Sequence, residues 1–314
     1  MLAVTAEGGG IHIREHPDPV PGLGQVLVRV RAAGLNGADL LQKRGLYPAP
    51  PGAPADIPGL ELAGEVVAAG PGATRFNAGD RVMAVVAGGG QAELAVVHER
   101  EAMPVPPGLD WASAGGLPEV FTTAHDALFT QAGLRPGERV CVHGAAGGVG
   151  TAAVQLAVTA GCAVVATVRS ADRRAAVEDL GATAIDPDET EANGPYDVVL
   201  ELVGATNLDT NLRSLATGGR ICVIGIGAGA TGQINLGLLM ARRGRIHGST
   251  LRARPLEGKA AAARLVESHV LPLFEAGRLR VPIDATFPLN EATDAYDRFE
   301  AGGKFGKIVL TAGP

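Results

Sequence analysis

The chain has 314 residues, of which 46% are hydrophobic and 19% charged, and a formal net charge of -6. That length supports two domains with separate cores, and that composition excludes an intrinsically disordered chain. The acidic balance argues against a nucleic-acid surface, which needs clustered Lys and Arg, and no apolar window approaches the ~18 residues that span a bilayer.

The chain opens on Met1-Leu2-Ala3-Val4 without the basic and apolar segments of a signal peptide, so a cytoplasmic location is expected. Residues 1–110 are rich in Gly and Pro. Short β-type runs at 25–30, 64–69, 81–86 and 93–97 are separated by turn signals such as Pro21-Gly22, Pro71-Gly72 and Gly79-Asp80. This pattern predicts a small barrel-like β unit. From 139 to 250 the texture changes. Apolar strands at 139–143, 163–168, 197–202, 220–225 and 245–250 alternate with helical stretches at 148–160, 171–180, 207–215 and 236–243. Continuous apolar strands joined by helices predict an α/β unit with a parallel sheet covered on both faces. The tail offers two amphipathic helices near 258–275 and 290–300 and strands at 281–287 and 307–311. Cys141, Cys162 and Cys222 each lie in an apolar stretch, which predicts core thiols rather than a disulfide framework or a metal site.

The strand at 139–143 runs into Gly144-Ala145-Ala146-Gly147-Gly148-Val149-Gly150 and then a helix. A pyrophosphate needs backbone N–H groups at a helix N-terminus with no side chain in the way, which Gly147, Gly148 and Gly150 provide. The first glycine of the G-x-G-x-x-G pattern is replaced by Ala145. The next strand ends Thr167-Val168-Arg169-Ser170, followed by Asp172, Arg173 and Arg174. A hydroxyl among guanidinium groups suits a ribose 2′-phosphate better than a bare diol, so NADPH is favoured over NADH. Asp172 is the discordant charge, and a helix cap is its alternative role.

With these residues in view the chain resembles the medium-chain dehydrogenase/reductase superfamily, and within it the zinc-independent quinone oxidoreductases of the p53-inducible branch. The likeness runs through Gly34-Leu35-Asn36-Gly37-Ala38-Asp39, Arg44-Gly45-Leu46-Tyr47, Pro58-Gly59-Leu60-Glu61, Leu117-Pro118-Glu119, the glycine loop, the segment Gly248 to Arg254, and Gly306-Lys307-Ile308-Val309-Leu310. The resemblance implies a GroES-like catalytic domain, residues 1–121 completed by 260–314, around a Rossmann domain at 122–259. It implies a cofactor site of Thr123, Ala146, Gly147, Gly148, Val149, Gly150, Arg169, Ser170, Arg173, Gly225 and Leu251. It also implies a homodimer joined through Rossmann edge strands, here 246–252.

Zinc-dependent relatives take ligands from a Cys in C-G-x-D and a His in G-H-E. Asn36 and Leu60 stand there, and neither ligates zinc as thiolate or imidazole. The seven histidines show no ligand spacing. Asn36 and Tyr47 fall where the family lines its substrate cleft, offering an amide donor and a phenol or flat ring. Asn36 also suits a turn before the following helix, and Tyr47 ordinary loop packing. The implied activity is zinc-free hydride transfer from NADPH to a quinone or similar activated carbonyl. Reduction of an activated C=C bond in an enoyl thioester and a non-catalytic NADPH-binding protein are the alternatives. Two departures from the family stand out: Pro187 where relatives carry a tyrosine, and Ala146 where many carry a serine.

Overall fold

The structure is a computed structural model and describes residues 1–312. It divides into two compact units, one formed by residues 1–122 with the chain from 251 onward, the other by residues 123–250.

Unit 1 begins with the antiparallel hairpin β1 (Leu2–Glu7) and β2 (Gly10–Glu15). Gly8 and Gly9, both at positive φ, make its turn, and this hairpin lies outside the β-type runs expected at 25–97. β3 (Gln25–Gly34) alternates strictly at first, with Val26, Val28 and Val30 buried between more exposed neighbours. Helix α1 (Gly37–Lys43) follows, then β4 (Glu61–Ala69), β5 (Arg81–Val85), β6 (Leu94–His98) and β7 (Ala102–Pro104). Two helices that periodicity did not reveal come next: α2 (Trp111–Gly116), capped by Asp110 accepting from Ser113 N, and α3 (Pro118–His125). The boundary between units falls inside α3, which runs on into a π-helical turn, Asp126–Gln131.

Unit 2 contains β8 (Arg139–Val142), α4 (Gly148–Thr159), β9 (Ala163–Thr167), α5 (Arg174–Glu178), β10 (Thr183–Ile185), β11 (Tyr196–Glu201), α6 (Leu208–Arg213), β12 (Leu215–Val223), α7 (Leu236–Arg242) and β13 (Arg245–Gly248). The six strands form one parallel sheet in the order β10-β9-β8-β11-β12-β13. This is the doubly wound Rossmann order, and its direction reverses between β8 and β11. Strands buried on both faces explain the near-continuous apolar runs: Val140, Cys141 and Val142 are all fully buried. The helix expected over 171–180 is shorter, a 3-10 turn at Ala171–Arg173 leading into α5. The last strand stops at Gly248, not at 250.

The chain then returns to unit 1 with α8 (Leu256–His269), α9 (Leu271–Glu275), β14 (Ile283–Pro288), α10 (Ala292–Glu300) and β15 (Lys307–Thr311). β14 pairs parallel to β15, which pairs antiparallel to β3, giving a seven-stranded sheet with β6 paired to β3. The return begins at 251, nine residues before the expected 260, because Leu251, Arg252 and α8 all belong to unit 1. Cys141 and Cys222 are buried, but Cys162 is a correction to the core assignment: it sits half-buried in the turn before β9, its thiol donating to Arg135 O at 3.3 Å. All three thiols are free. Among the described residues no helix is long and apolar enough to cross a membrane.

Candidate functional site

In unit 2 the loop after β8 is built for close approach of a ligand. Gly144 adopts φ +64°, and Gly147 N donates to Gly144 O at 3.0 Å, closing the turn. Helix α4 starts with Gly147 as N-cap, so no side chain caps it. Its first internal bond joins Thr151 N to Gly147 O at 2.8 Å, which leaves the N–H groups of Gly148, Val149 and Gly150 without acceptors in the helix. A Cβ on Gly150 would lie 2.5 Å from Gly144 O and 2.6 Å from Ala145 Cα, so only glycine allows the turn to pack on the helix. Ala146, Gly147, Gly148 and Val149 are partly exposed, while Gly150 is buried. Gly225 plays a similar spacing role, since a Cβ there would collide with the Leu202 backbone. Thr123 is buried in unit 2, whereas Leu251 is buried in unit 1.

At the end of β9 the three guanidinium groups are not equivalent. Arg174 is committed locally, donating to Asp186 Oδ2 at 2.6 Å and to Val168 O at 3.2 Å. Arg173 lies 3.6 Å from Asp172. Arg169 is exposed and makes no hydrogen bond or ion pair among the described residues. The Ser170 hydroxyl donates to Asp172 in a short hydrogen bond, so Asp172 binds backwards to Ser170 and the two share one polar patch. That bond and the nearby Arg173 hold the exposed Asp172 carboxyl below its ordinary range.

Below the glycine loop lies a polar cluster that sequence reasoning missed. His143 Nε2 donates to Asn211 Oδ1 at 2.7 Å, and its Nδ1 lies 3.0 Å from Thr167 Oγ1. Asn211 Nδ2 donates to Glu201 Oε2 at 2.7 Å, while Glu201 Oε1 accepts from Val203 N at 2.7 Å and Gly204 N at 2.8 Å. The carboxylate thus fixes the loop after β11, across the switch point from the glycine loop. The signal was available: a Glu directly following the buried apolar run Val198-Val199-Leu200 is costly unless it is paired.

In unit 1 a second buried cluster surrounds Asn36. The Lys307 ammonium donates to Glu61 Oε1 at 2.6 Å, Leu35 O at 2.7 Å and Asn36 Oδ1 at 2.8 Å. Asn36 Nδ2 donates to Glu61 Oε1 at 2.9 Å and Gly34 O at 3.3 Å. Glu61 Oε2 accepts from Glu119 N at 2.8 Å. The amide expected to face a substrate therefore has its oxygen and both N–H groups engaged inside the protein. Asp39, one turn along, accepts from Asn36 N at 2.8 Å, Gly59 N at 3.2 Å and Gln91 Nε2 at 3.3 Å. Burial pushes its carboxyl up to about 6 despite these donors.

Tyr47 lies in the Pro-rich loop after α1, half-buried. Its hydroxyl makes no hydrogen bond among the described residues, and burial raises its pKa above the ordinary value, keeping the phenol protonated. The Arg252 guanidinium lies 4.9 Å over its ring. No group of three or more His, Cys, Asp or Glu side chains capable of holding a metal ion occurs among the described residues. Leu60 is buried and apolar, and the cluster at Asn36 already contains a cation, Lys307. These residues do not fit a catalytic zinc.

Two family models match the chain: an alcohol dehydrogenase GroES-like domain over residues 22–107 and a zinc-binding dehydrogenase over residues 148–268. The chain is 33% identical to the synaptic vesicle membrane protein VAT-1 homolog of Rattus norvegicus, covering 100% of this chain and 84% of that protein. It is also 33% identical to the quinone oxidoreductase of Rattus norvegicus, covering 93% of this chain and 90% of that protein. Among solved structures, mycobacterial Rv1454c complexed with NADPH superposes with a TM-score of 0.87 at 26% identity, over 99% of this chain and 100% of that one. The fold, the two domain matches and these relatives make the chain a member of the medium-chain dehydrogenase/reductase superfamily, with a GroES-like domain and a Rossmann domain.

That family implies a pyridine dinucleotide, and the residues present fit one. The glycine-lined, uncapped N-terminus of α4 offers N–H groups to a pyrophosphate, and just past the C-terminal end of β9 stands the exposed, unpaired Arg169 guanidinium.

Proposed function

We propose that the protein is an NADPH-dependent reductase that passes a hydride to a quinone or similar activated carbonyl without a metal. The observation that carries the cofactor choice is Arg169, an exposed guanidinium without a protein partner, beside the Ser170 hydroxyl at the end of β9. The likeness to the rat quinone oxidoreductase and to an NADPH-bound mycobacterial protein supports the same reading. The residues carried forward are Thr123, Ala146, Gly147, Gly148, Val149, Gly150, Arg169, Ser170, Arg173, Gly225 and Leu251 for the cofactor. Tyr47 is proposed at the substrate, and Asn36 becomes a positioning group within the Lys307–Glu61 cluster.

When bound, the reduced nicotinamide supplies the hydride. The protein's own contribution is to grip the pyrophosphate on the helix terminus and to present the protonated Tyr47 hydroxyl as a hydrogen-bond donor. A quinone needs little more, because its reduced oxygens are stabilised by the ring and take a proton from water. The overall balance is quinone, NADPH and one proton giving hydroquinone and NADP⁺.

Rates with ortho-quinones and with an enoyl-CoA, each measured with NADPH and NADH, test this reading. Quinone reduction with preference for NADPH is expected. Faster reduction of the enoyl thioester would move the substrate to an activated C=C bond. A melting temperature raised by NADPH with neither substrate reduced would leave a binding protein.

We further infer a homodimer through the edge of the parallel sheet. β13 pairs only with β12 among the described strands, and α7, which packs on β12, exposes Leu236 at 63% and Met240 at 76%. Light scattering on Met240→Asp should give a monomer where the parent chain gives a dimer; a monomeric parent would end this inference. A cytoplasmic location remains part of the proposal and is tested by fractionation of the source cells.

A further inference from the structure

Arg252 is 4% exposed, yet it carries a charge that no carboxylate neutralises directly. Its Nε donates to Ala87 O at 2.8 Å, Nη1 to Tyr47 O at 2.8 Å and Nη2 to Gln42 Oε1 at 2.6 Å. One planar group therefore joins helix α1, the loop after α1 and the loop after β5. The side-chain amide of Gln42 extends the tie, donating from Nε2 to Ala55 O at 3.3 Å. The loop it holds has prolines at 48, 50, 51 and 54, which lack N–H groups and cannot build a ladder of their own. The same guanidinium stacks 4.9 Å from the Tyr47 ring centre, so it fixes the residue by its carbonyl and by its ring together. Burial works against the charge and lowers the Arg252 pKa, so these contacts must offset a real desolvation cost. A point-charge ammonium has no fork with which to reach three carbonyl oxygens set apart in this way.

We propose that Arg252 is the positioning residue of the substrate site, clamping the loop of Tyr47 so that the unpaired phenol is held as a hydrogen-bond donor for the oxygen of a flat carbonyl acceptor. This rests on the reductase reading above for the identity of the acceptor, but the clamp itself does not.

Two measurements separate these parts. The first is amide hydrogen exchange of peptides covering residues 44–55 in the free protein, compared between the parent chain and Arg252→Lys. Exchange on the order of tenfold faster in this loop is expected, with peptides of the parallel sheet unchanged. Unchanged exchange in the loop overturns the clamp whatever the substrate is. The second is steady-state reduction of an ortho-quinone by the parent chain, Arg252→Lys, Tyr47→Phe and the double variant. Arg252→Lys should lower kcat on the order of tenfold with the NADPH KM within about twofold, and should add nothing to Tyr47→Phe. Additive losses, or a loss confined to the NADPH KM, would overturn action through Tyr47. A parent chain that reduces no quinone refutes the reductase reading while the exchange result still decides the clamp. Should Arg252→Lys fail to fold, Gln42→Leu, which removes one of the three bonds, carries the same comparisons.

Discussion

Lys307 and Glu61 form an ion pair 2.6 Å long with side chains 2% and 0% exposed, one on β15 and the other at the start of β4. Every hydrogen of the ammonium has an acceptor, and both oxygens of the carboxylate accept. The cluster leaves no room for more: a Cβ on Gly34 would collide with the Glu61 carboxylate. Taking two charges out of water is expensive, and removing one strands the other. Lys307→Met should therefore cost about 3–5 kcal/mol in urea unfolding, and Lys307→Met with Glu61→Gln should cost less than the single change. A single variant as stable as the parent would mean that water reaches the pair.

Asp39 gives a pH signature. Burial, the largest influence, holds its folded-state pKa up to about 6 against an ordinary 3.8. The folded state then keeps this proton to higher pH than the unfolded chain. The resulting stabilisation is complete below about pH 4 and is lost as pH rises through about 6. Asp39→Asn removes the titration, while its amide can still accept from Asn36 or Gly59. Relative to the parent, the variant should gain on the order of 3 kcal/mol between pH 4 and pH 7, from about 1.4 kcal/mol per pH unit. Any fixed cost of the amide is the same at both pH values, so the difference is the readout. A parallel pair of stability curves would refute it.

The glycine loop predicts a sharp steric effect. A Cβ on Gly150 would press within 2.5 Å of Gly144 O, and the backbone on both sides is fixed by the turn. Gly150→Ala should push the turn off the helix and weaken NADPH binding at least ~100-fold by titration calorimetry, at about 2.7 kcal/mol. Gly147→Ala is the control, because its Cβ would sit an ordinary 3.4 Å from the nearest atom of the turn. It should retain more of the affinity than Gly150→Ala; equal losses would show that helix geometry is not the cause.

Much of the fold was written in local pattern. The parallel sheet announced itself because strands buried on both faces carry unbroken apolar runs, Val140-Cys141-Val142 in β8 and Val198-Val199-Leu200 in β11. The glycine loop was equally legible, since backbone approach to a ligand demands glycine at fixed spacing. What pattern could not supply was pairing over long sequence separation. Lys307 sits 246 residues from Glu61, and nothing local to either marks the other. For the same reason Asn36 read as an amide donor for a substrate, although its groups are engaged within the cluster, and nothing local to Arg252 marked its bonds to Gln42, Tyr47 and Ala87. The short helices α2 and α3 escaped because their Gly, Ala and Thr content carries little helical periodicity. Among the guanidinium groups after β9, sequence alone could not tell Arg174, tied to Asp186, from the unpaired Arg169.

That last distinction gives a test of the cofactor. Arg169 has no competing partner, Arg173 has Asp172 at 3.6 Å, and Arg174 is engaged by Asp186 and Val168. A 2′-phosphate should therefore draw mainly on Arg169 and secondarily on Arg173. Each charge-assisted contact to phosphate contributes roughly 1.5–3 kcal/mol. Arg169→Gln should raise the KM for NADPH at least ~10-fold and leave that for NADH within about twofold. Arg173→Asp should act in the same direction and add repulsion next to Asp172. Arg174→Gln should instead lower the melting temperature, because it frees Asp186 and the Val168 carbonyl, with little change in cofactor preference. Equal losses with NADPH and NADH for Arg169→Gln would remove the 2′-phosphate from this corner. A loss of NADH use for Asp172→Asn would point the same way, since that carboxylate is the group that would repel a phosphate yet accept from a ribose diol.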